Sequence, residues 1–215
     1  MNNHNKIVPL IGLCFFLGCG AARPDQVQKN VLEPENSNEA RLNRLQPPER
    51  VMDAFGIQPG MTVAEIGAGQ GRYVVQLAVR VGESGKIYAE DIDKASLDHL
   101  ARRCARGGLK NVETIVGDVR DPKLPEGRLD RIFIISSYHH FDDPVALLKK
   151  ARAALKPDGK LAIGEWFPAP GGEGTTPEKL KEQMAAAGYV FEKMDTFLQD
   201  NRLYLYLFKR EPLRP

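Results

Sequence analysis

The sequence predicts an α/β domain on a mostly parallel sheet, preceded by an N-terminal segment of different character. Three observations predict it. From Pro48 onward, short β-branched runs alternate with helical patterns, the order expected when helices cross over between parallel strands. Residues 131–135 (R-I-F-I-I) are apolar after the first position, as in a central strand covered on both faces. A glycine loop, Gly67-Ala68-Gly69-Gln70-Gly71, stands between the first strand and the helix after it.

Composition narrows the class. The chain has 215 residues, 42% hydrophobic and 27% charged, enough to bury one core without a disulfide or metal staple. Its 3 cysteines make no disulfide scaffold, and no Cys/His spacing suits a zinc site. Thirty Lys+Arg against 28 Asp+Glu leave +2, without a basic block. That argues against dedicated nucleic-acid binding.

The elements follow in order. Residues 49–55 form a short helix with Val51 and Phe55 on one face, ended by Ile57-Gln58-Pro59-Gly60. The first strand is 62–66, and Tyr73, Leu77 and Val81 mark the buried face of its helix. The second strand, 86–90, leads to a helix capped by Asp93, with Leu97, Leu100 and Cys104 inward and Gly107 at its end. Strand three is 111–116 and strand four 131–135. Asp142-Asp143-Pro144 opens the next helix, with Leu148, Ala151 and Leu155 buried, and Lys156-Pro157-Asp158-Gly159 turns into strand five at 160–165. Thr176-Pro177 starts the last helix, with Leu180, Met184 and Ala187 inward and Gly188 after it. Residues 189–195 and 203–209, joined through Gln199-Asp200-Asn201, read as a C-terminal antiparallel hairpin. The expected architecture is therefore a Rossmann-like, seven-stranded, mostly parallel sheet with helices on both faces.

The N-terminus is a separate object. Residues 7–18 are almost wholly apolar, about 18 Å as a helix and short of the ~30 Å bilayer core. This has the proportions of a signal-peptide core. Leu17-Gly18-Cys19-Gly20 follows, with Phe16 before it. The segment resembles a bacterial lipoprotein signal, in which Cys19 would be lipidated; Phe16 departs from the usual Leu. An uncleaved tethering segment, a buried amphipathic start and a misassigned start codon are the alternatives. Residues 1–19 are thus expected to be a signal, 20–47 a flexible polar tether, and 48–211 the folded domain. The expected location is the bacterial envelope membrane, or the cytoplasmic face or cytoplasm if the signal is not processed.

The chemistry concentrates at strand ends. Gly67, Gly69 and Gly71 form G-x-G-x-G, one residue shorter than the dinucleotide pattern G-x-G-x-x-G. Glu65 lies two residues before Gly67. A carboxylate there suits a ligand ammonium and opposes a pyrophosphate. Asp91 ends the second strand, where a carboxylate accepts from ribose hydroxyls. Asp118, in Gly117-Asp118-Val119 after strand three, is placed to accept from an adenine amine. An adenosine joined to an amino acid is S-adenosylmethionine.

This constellation resembles the class I S-adenosylmethionine-dependent methyltransferases over about residues 48–209, in the small-molecule branch with the ubiquinone/menaquinone C-methyltransferases. The resemblance implies that Glu65, Gly67, Ala68, Gly69 and Gly71 hold the methionine end, and Asp91 the ribose. It implies Ile92, Gly117, Asp118, Val119 and Ser136 for the rest of the cofactor. The acceptor would lie beside Ser136-Ser137-Tyr138-His139-His140-Phe141. There His139 or His140 is the candidate base, and Tyr138 and Trp166 the candidate pocket walls. Asp142 and Asp143 read as caps, so no metal is expected. The base-flipping N/D-P-P-Y/F motif is absent, and no cysteine follows strand four or five to act as a nucleophile. Arsenite methylation would need several thiols, yet Cys104 is the body's one cysteine, on an apolar helix face. Methyl transfer to a small acceptor, hydrophobic in character, is the leading function. A non-catalytic adenosylmethionine sensor or scaffold stays open, and so does an NAD-dependent oxidoreductase, which Glu65 and the early third glycine disfavour.

Overall fold

The computed structural model describes residues 30–168, 172 and 174–211. Residues 1–29, with the expected signal, Cys19 and the first part of the tether, lie outside the described residues. The helices are α1 (Ser37–Leu45), α2 (Pro48–Ala54), α3 (Arg72–Val81), α4 (Lys94–Arg106), α5 (Pro144–Ala154) and α6 (Pro177–Ala186). The strands are β1 (Thr62–Ile66), β2 (Lys86–Asp91), β3 (Val112–Val116), β4 (Leu129–Ile135), β5 (Leu155–Trp166), β6 (Tyr189–Asp195) and β7 (Leu203–Arg210).

One sheet runs β3-β2-β1-β4-β5-β7-β6, parallel through β5 and antiparallel in the β5–β7 and β7–β6 pairs. This is the Rossmann-like sheet with a C-terminal hairpin that the pattern predicts. Alternation along each strand sends side chains to two cores. Val63, Ala89 and Phe133 pack with α2, α3 and α4, while Ala64, Ile66, Ile132 and Ile134 pack with α5 and α6. Covering both faces explains why the central strands carry so few polar side chains. The caps form where the sequence places them: Asp93 accepts from the Ala95 N–H at 2.9 Å, Asp143 from Ala146 at 3.1 Å, and Thr176 from Lys179 at 3.3 Å.

Two expectations need correction. Residues 30–47, expected as part of the flexible tether, are folded onto the domain. Asn36 caps α1 by accepting from the Glu39 N–H at 2.9 Å. The Glu39 carboxylate, almost buried, accepts from both terminal nitrogens of the buried Arg103 on α4, at 3.2 and 2.8 Å. Val31 packs against Gly107, and Gln46 is fully buried. A polar segment is ordered here because its charges meet partners from another element and Val31 joins the core, with Leu32 packed against it. The second correction concerns 156–159, expected as a turn before strand five. Leu155 already pairs with Leu129, the next pair is Arg131 with Lys160, and the register shift between them absorbs the Pro-Asp-Gly stretch.

Gly71 caps α3 in the left-handed region (φ 88°), and a side chain there would collide with Leu100 Cδ1, which is fully buried. Gly69 (φ 51°) has open space instead. Gly71→Ala should therefore cost about 2–4 kcal/mol, backbone strain plus overpacking, and Gly69→Ala about 1 kcal/mol. Urea unfolding of both variants checks the order; equal losses would mean that Leu100 repacks freely.

Candidate cofactor site

The strand order reverses between β1 and β4, and the carboxyl ends there open into a cavity of about 370 Å³. Its walls include Gly67, Asp91, Ile92, Asp118, Val119 and Ser136 of the expected cofactor residues, together with His140. Ile92 is 61% exposed and Val119 40%, so two large apolar side chains stand open at the rim. Flat apolar rings are what such a pair covers.

The glycine loop is not an anion cradle. The Gly67 and Ala68 N–H groups donate to the Glu90 carbonyl at 3.0 and 2.9 Å, and the Gly71 N–H donates to the Ala68 carbonyl at 2.9 Å. The Gly69 N–H donates to Asp91 Oδ2 at 2.7 Å. These four amides are engaged within the fold and do not point at a pyrophosphate, which distinguishes the loop from a dinucleotide fingerprint. Ala68 is thereby a loop-holding residue through its amide. Gly67 has φ 76°, and a side chain on it would come within 2.7 Å of Ser137. The Asp91 carboxylate also takes the Asp93 N–H on Oδ1 at 2.9 Å. A carboxylate has roughly four lone-pair sites, so acceptor capacity is left for sugar hydroxyls.

Glu65 is 3% exposed, and its Oε2 is buried without a hydrogen-bond partner. Burial pushes its carboxyl up to about 8, with Arg72 pulling the other way and Asp91 adding to the rise. Glu65 is not among the cavity-lining residues but lies behind the glycine loop. An unpartnered buried carboxyl oxygen there is costly and would be satisfied, and ionised, by an ammonium reaching it. Around it stands a network the sequence reading missed. Arg72 donates to Gln46 Oε1 at 2.5 Å and to Asn43 Oδ1 at 3.3 Å, and Gln46 Nε2 donates to Ser136 Oγ at 3.1 Å. Helix α1 thus reaches the end of β4 through Gln46. Ser136 itself sits at φ 54°, strained for a residue with a side chain.

The remaining candidates separate. His140 lines the cavity, whereas His139 turns to Glu165, with Nδ1 2.8 Å from Oε1, in a nearly buried pair. Burial pushes the Glu165 carboxyl up to about 7, against the Trp166 N–H, the His139 backbone and His140. The two imidazole rings lie 4.1 Å apart. Tyr138, expected as a pocket wall, is instead a core residue at 2% exposure, its hydroxyl donating to Gln183 Oε1 at 2.9 Å. The 3-10 turn Tyr138–His140 rotates successive side chains too sharply for all three to share the cavity. Trp166 does not line the cavity either: it packs on the α3 side of the sheet. Asp142 borders the cavity and Asp143 caps α5. Cys104 is core, and burial pushes its thiol up to about 11. Among the described residues no His/Cys/Asp/Glu group can hold a metal.

The sheet order and the loop define the class: a Rossmann-like fold with an acidic, apolar-rimmed cavity where the strand order reverses. Comparison with known proteins agrees. Residues 63–159 match the family model described as a methyltransferase domain. The chain is 30% identical over 121 residues to nocamycin O-methyltransferase of Saccharothrix syringae, covering 56% of this chain and 43% of that protein. It is 28% identical over 117 residues to the ubiquinone/menaquinone biosynthesis C-methyltransferase UbiE of Escherichia coli O1:K1 / APEC, covering 54% and 46%. The chain therefore spans less than half the length of these curated relatives. Among solved structures it superposes on a SAM-dependent methyltransferase from Aquifex aeolicus with a TM-score of 0.71 and 26% identity, over 86% of this chain and 97% of that one. S-adenosylmethionine is the cofactor of this fold, and the orphaned Glu65 oxygen, the engaged loop amides and the Ile92/Val119 rim fit it.

Proposed function

We propose that the protein transfers a methyl group from S-adenosylmethionine to a small acceptor, hydrophobic in character. The observation that carries this is the buried, unpartnered Glu65 Oε2 beside a loop whose amides are already engaged, which suits an ammonium-bearing nucleoside and opposes a dinucleotide. When bound, the cofactor supplies a methyl group already activated on a sulfonium.

The protein's own task is then alignment and proton handling. Glu65 would pair with the ammonium, Asp91 with the ribose hydroxyls and Asp118 with the adenine amine. Ile92 and Val119 would cover the purine and exclude water. His140 is the cavity-lining imidazole, and it would take a proton from an acceptor O–H or acidic C–H. His139, paired with Glu165, would fix the turn that presents it.

Transfer of labelled methyl from S-adenosylmethionine to a panel of phenols and quinone precursors tests the proposal, with NAD as a binding control. Labelled product is expected with at least one acceptor. Tight adenosylmethionine binding without transfer to any of them would favour a sensor or scaffold. The curated similarities to methyltransferases, one acting in quinone biosynthesis by name, support starting with that panel.

The same proposal holds the domain at a membrane through lipid on Cys19, in the segment that resembles a lipoprotein signal. Adenosylmethionine is made in the cytosol, so the anchored domain either stays on that face or receives the cofactor in the envelope. Cys19→Ser should move the protein from the membrane fraction to the soluble fraction; retention on membranes would remove the lipid anchor from the proposal.

A further inference from the structure

Glu90 is a cavity-lining acid that is itself buried, at 2% exposure. Alternation along β2 turns it away from the face that Asp91 serves, toward Ile66 and Leu147. Its Oε1 occupies the space a side chain on Gly117 would need, so the carboxyl is held over the backbone of that glycine. It therefore lies between Asp91 and the loop of Gly117, Asp118 and Val119.

That position has a chemical meaning if the cavity holds an adenosine, the cofactor reading on which this inference rests. Asp91 and Asp118, as carboxylates, are acceptors, suited to sugar hydroxyls and the exocyclic amine. The ring nitrogens of a purine are acceptors too and need a donor. Between the sugar subsite and the amine subsite lies the sugar edge of the purine, which carries N3. We propose that Glu90, in its protonated form, donates a hydrogen bond to that ring nitrogen and makes recognition of the nucleoside depend on a proton.

The surroundings favour the protonated form. Burial, and then the charge of Asp91, push the Glu90 carboxyl up to about 8; the Gly67 amide and Lys123 oppose the rise. Asp118, Asp142 and His140 are the other titratable groups lining the cavity. The sign follows: the donor is present at neutral pH and is lost as pH rises through about 8. Glu65, which also sits near 8, serves the amino-acid end and is silent toward a ligand without an ammonium.

The test is calorimetric binding of methylthioadenosine and its 3-deaza analogue to the whole chain at two pH values. Wild-type protein should bind methylthioadenosine roughly tenfold tighter than the 3-deaza compound at about pH 6.5, one hydrogen bond's worth, and lose that preference near pH 9. Glu90→Gln, which keeps a donor, should retain the preference at both pH values, and Glu90→Leu should abolish it. Equal binding of the two compounds by wild type at the lower pH, or a preference unchanged near pH 9, would overturn the proposal without any variant. If wild type bound neither methylthioadenosine nor adenosylhomocysteine, the cofactor reading itself would fall, and this inference with it.

Discussion

Replacing Asp91 with Ala should weaken adenosylhomocysteine binding by roughly thirtyfold or more, the largest loss expected from one side chain in the cavity. Two effects combine. The variant loses charged acceptors for sugar hydroxyls, each worth about 1.5–3 kcal/mol when buried. It also strands the Gly69 N–H, which the Asp91 Oδ2 holds at 2.7 Å, and frees the loop that shapes the methionine end. Asp91→Asn should fall between, because its amide oxygen still accepts from Gly69. Calorimetry of the three proteins checks the order, with circular dichroism to show that each is folded. An Asp91→Ala protein that binds within threefold of wild type would remove Asp91 from the nucleoside site.

This site was half legible from residues alone. A carboxylate at the end of β2 and glycines after β1 are local signals, readable because strand ends and tight turns are written in contiguous residues. Asp91, Gly69 and Asp118 could be named on that basis. Glu90 lay in the same strand and was passed over, although an acid at an inward position of a buried strand is itself a signal. Tyr138 and His139 were misplaced because a 3-10 turn, unlike a strand, has no two-residue period to say which side chain enters the cavity.

The second large effect is expected far from the cavity. Glu39→Ala should destabilise the protein by about 3 kcal/mol, since it removes the closest carboxylate from the buried Arg103 guanidinium and leaves it only the Glu35 carboxylate, 3.9 Å away. Arg103 is 3% exposed, and its other acceptors are the Val31 and Glu33 carbonyls at 3.3 and 3.4 Å, both longer than the 2.8 Å contact to Glu39. Neutralising both ends, as Glu39→Ala with Arg103→Met, should recover part of the loss, because the desolvation cost of the poorly paired charge disappears with it. Urea unfolding measures the change, and limited proteolysis should show new cleavage within residues 30–46 of the single variant. A loss below about 0.5 kcal/mol, the range of an exposed pair, would return the segment to the role of a loose tether.

The basis for that prediction could have been glimpsed in the chain. Asn36 and Glu39 stand in the N-x-x-E spacing of a capping box; Asn36 caps the Glu39 N–H, while the Glu39 carboxylate reaches one residue beyond the cap, accepting from the Glu35 N–H at 3.2 Å. The cap predicts a helix; it does not predict where the helix docks.

The division between the two kinds of information follows sequence separation. Residues a few positions apart determined the strands, the caps, the glycine loop, the hairpin and the acidic strand ends, because hydrophobic period and turn chemistry act over one element at a time. Tertiary structure alone decided which distant groups meet: Glu39 with Arg103, Gln46 with Ser136, His139 with Glu165, and Glu90 over Gly117. Each of these contacts brings a polar side chain against a distant part of the chain, and no periodicity encodes such a pair. They form because a buried polar group without a partner is costly, so the fold is stable only where the packing of whole helices and strands brings partners together.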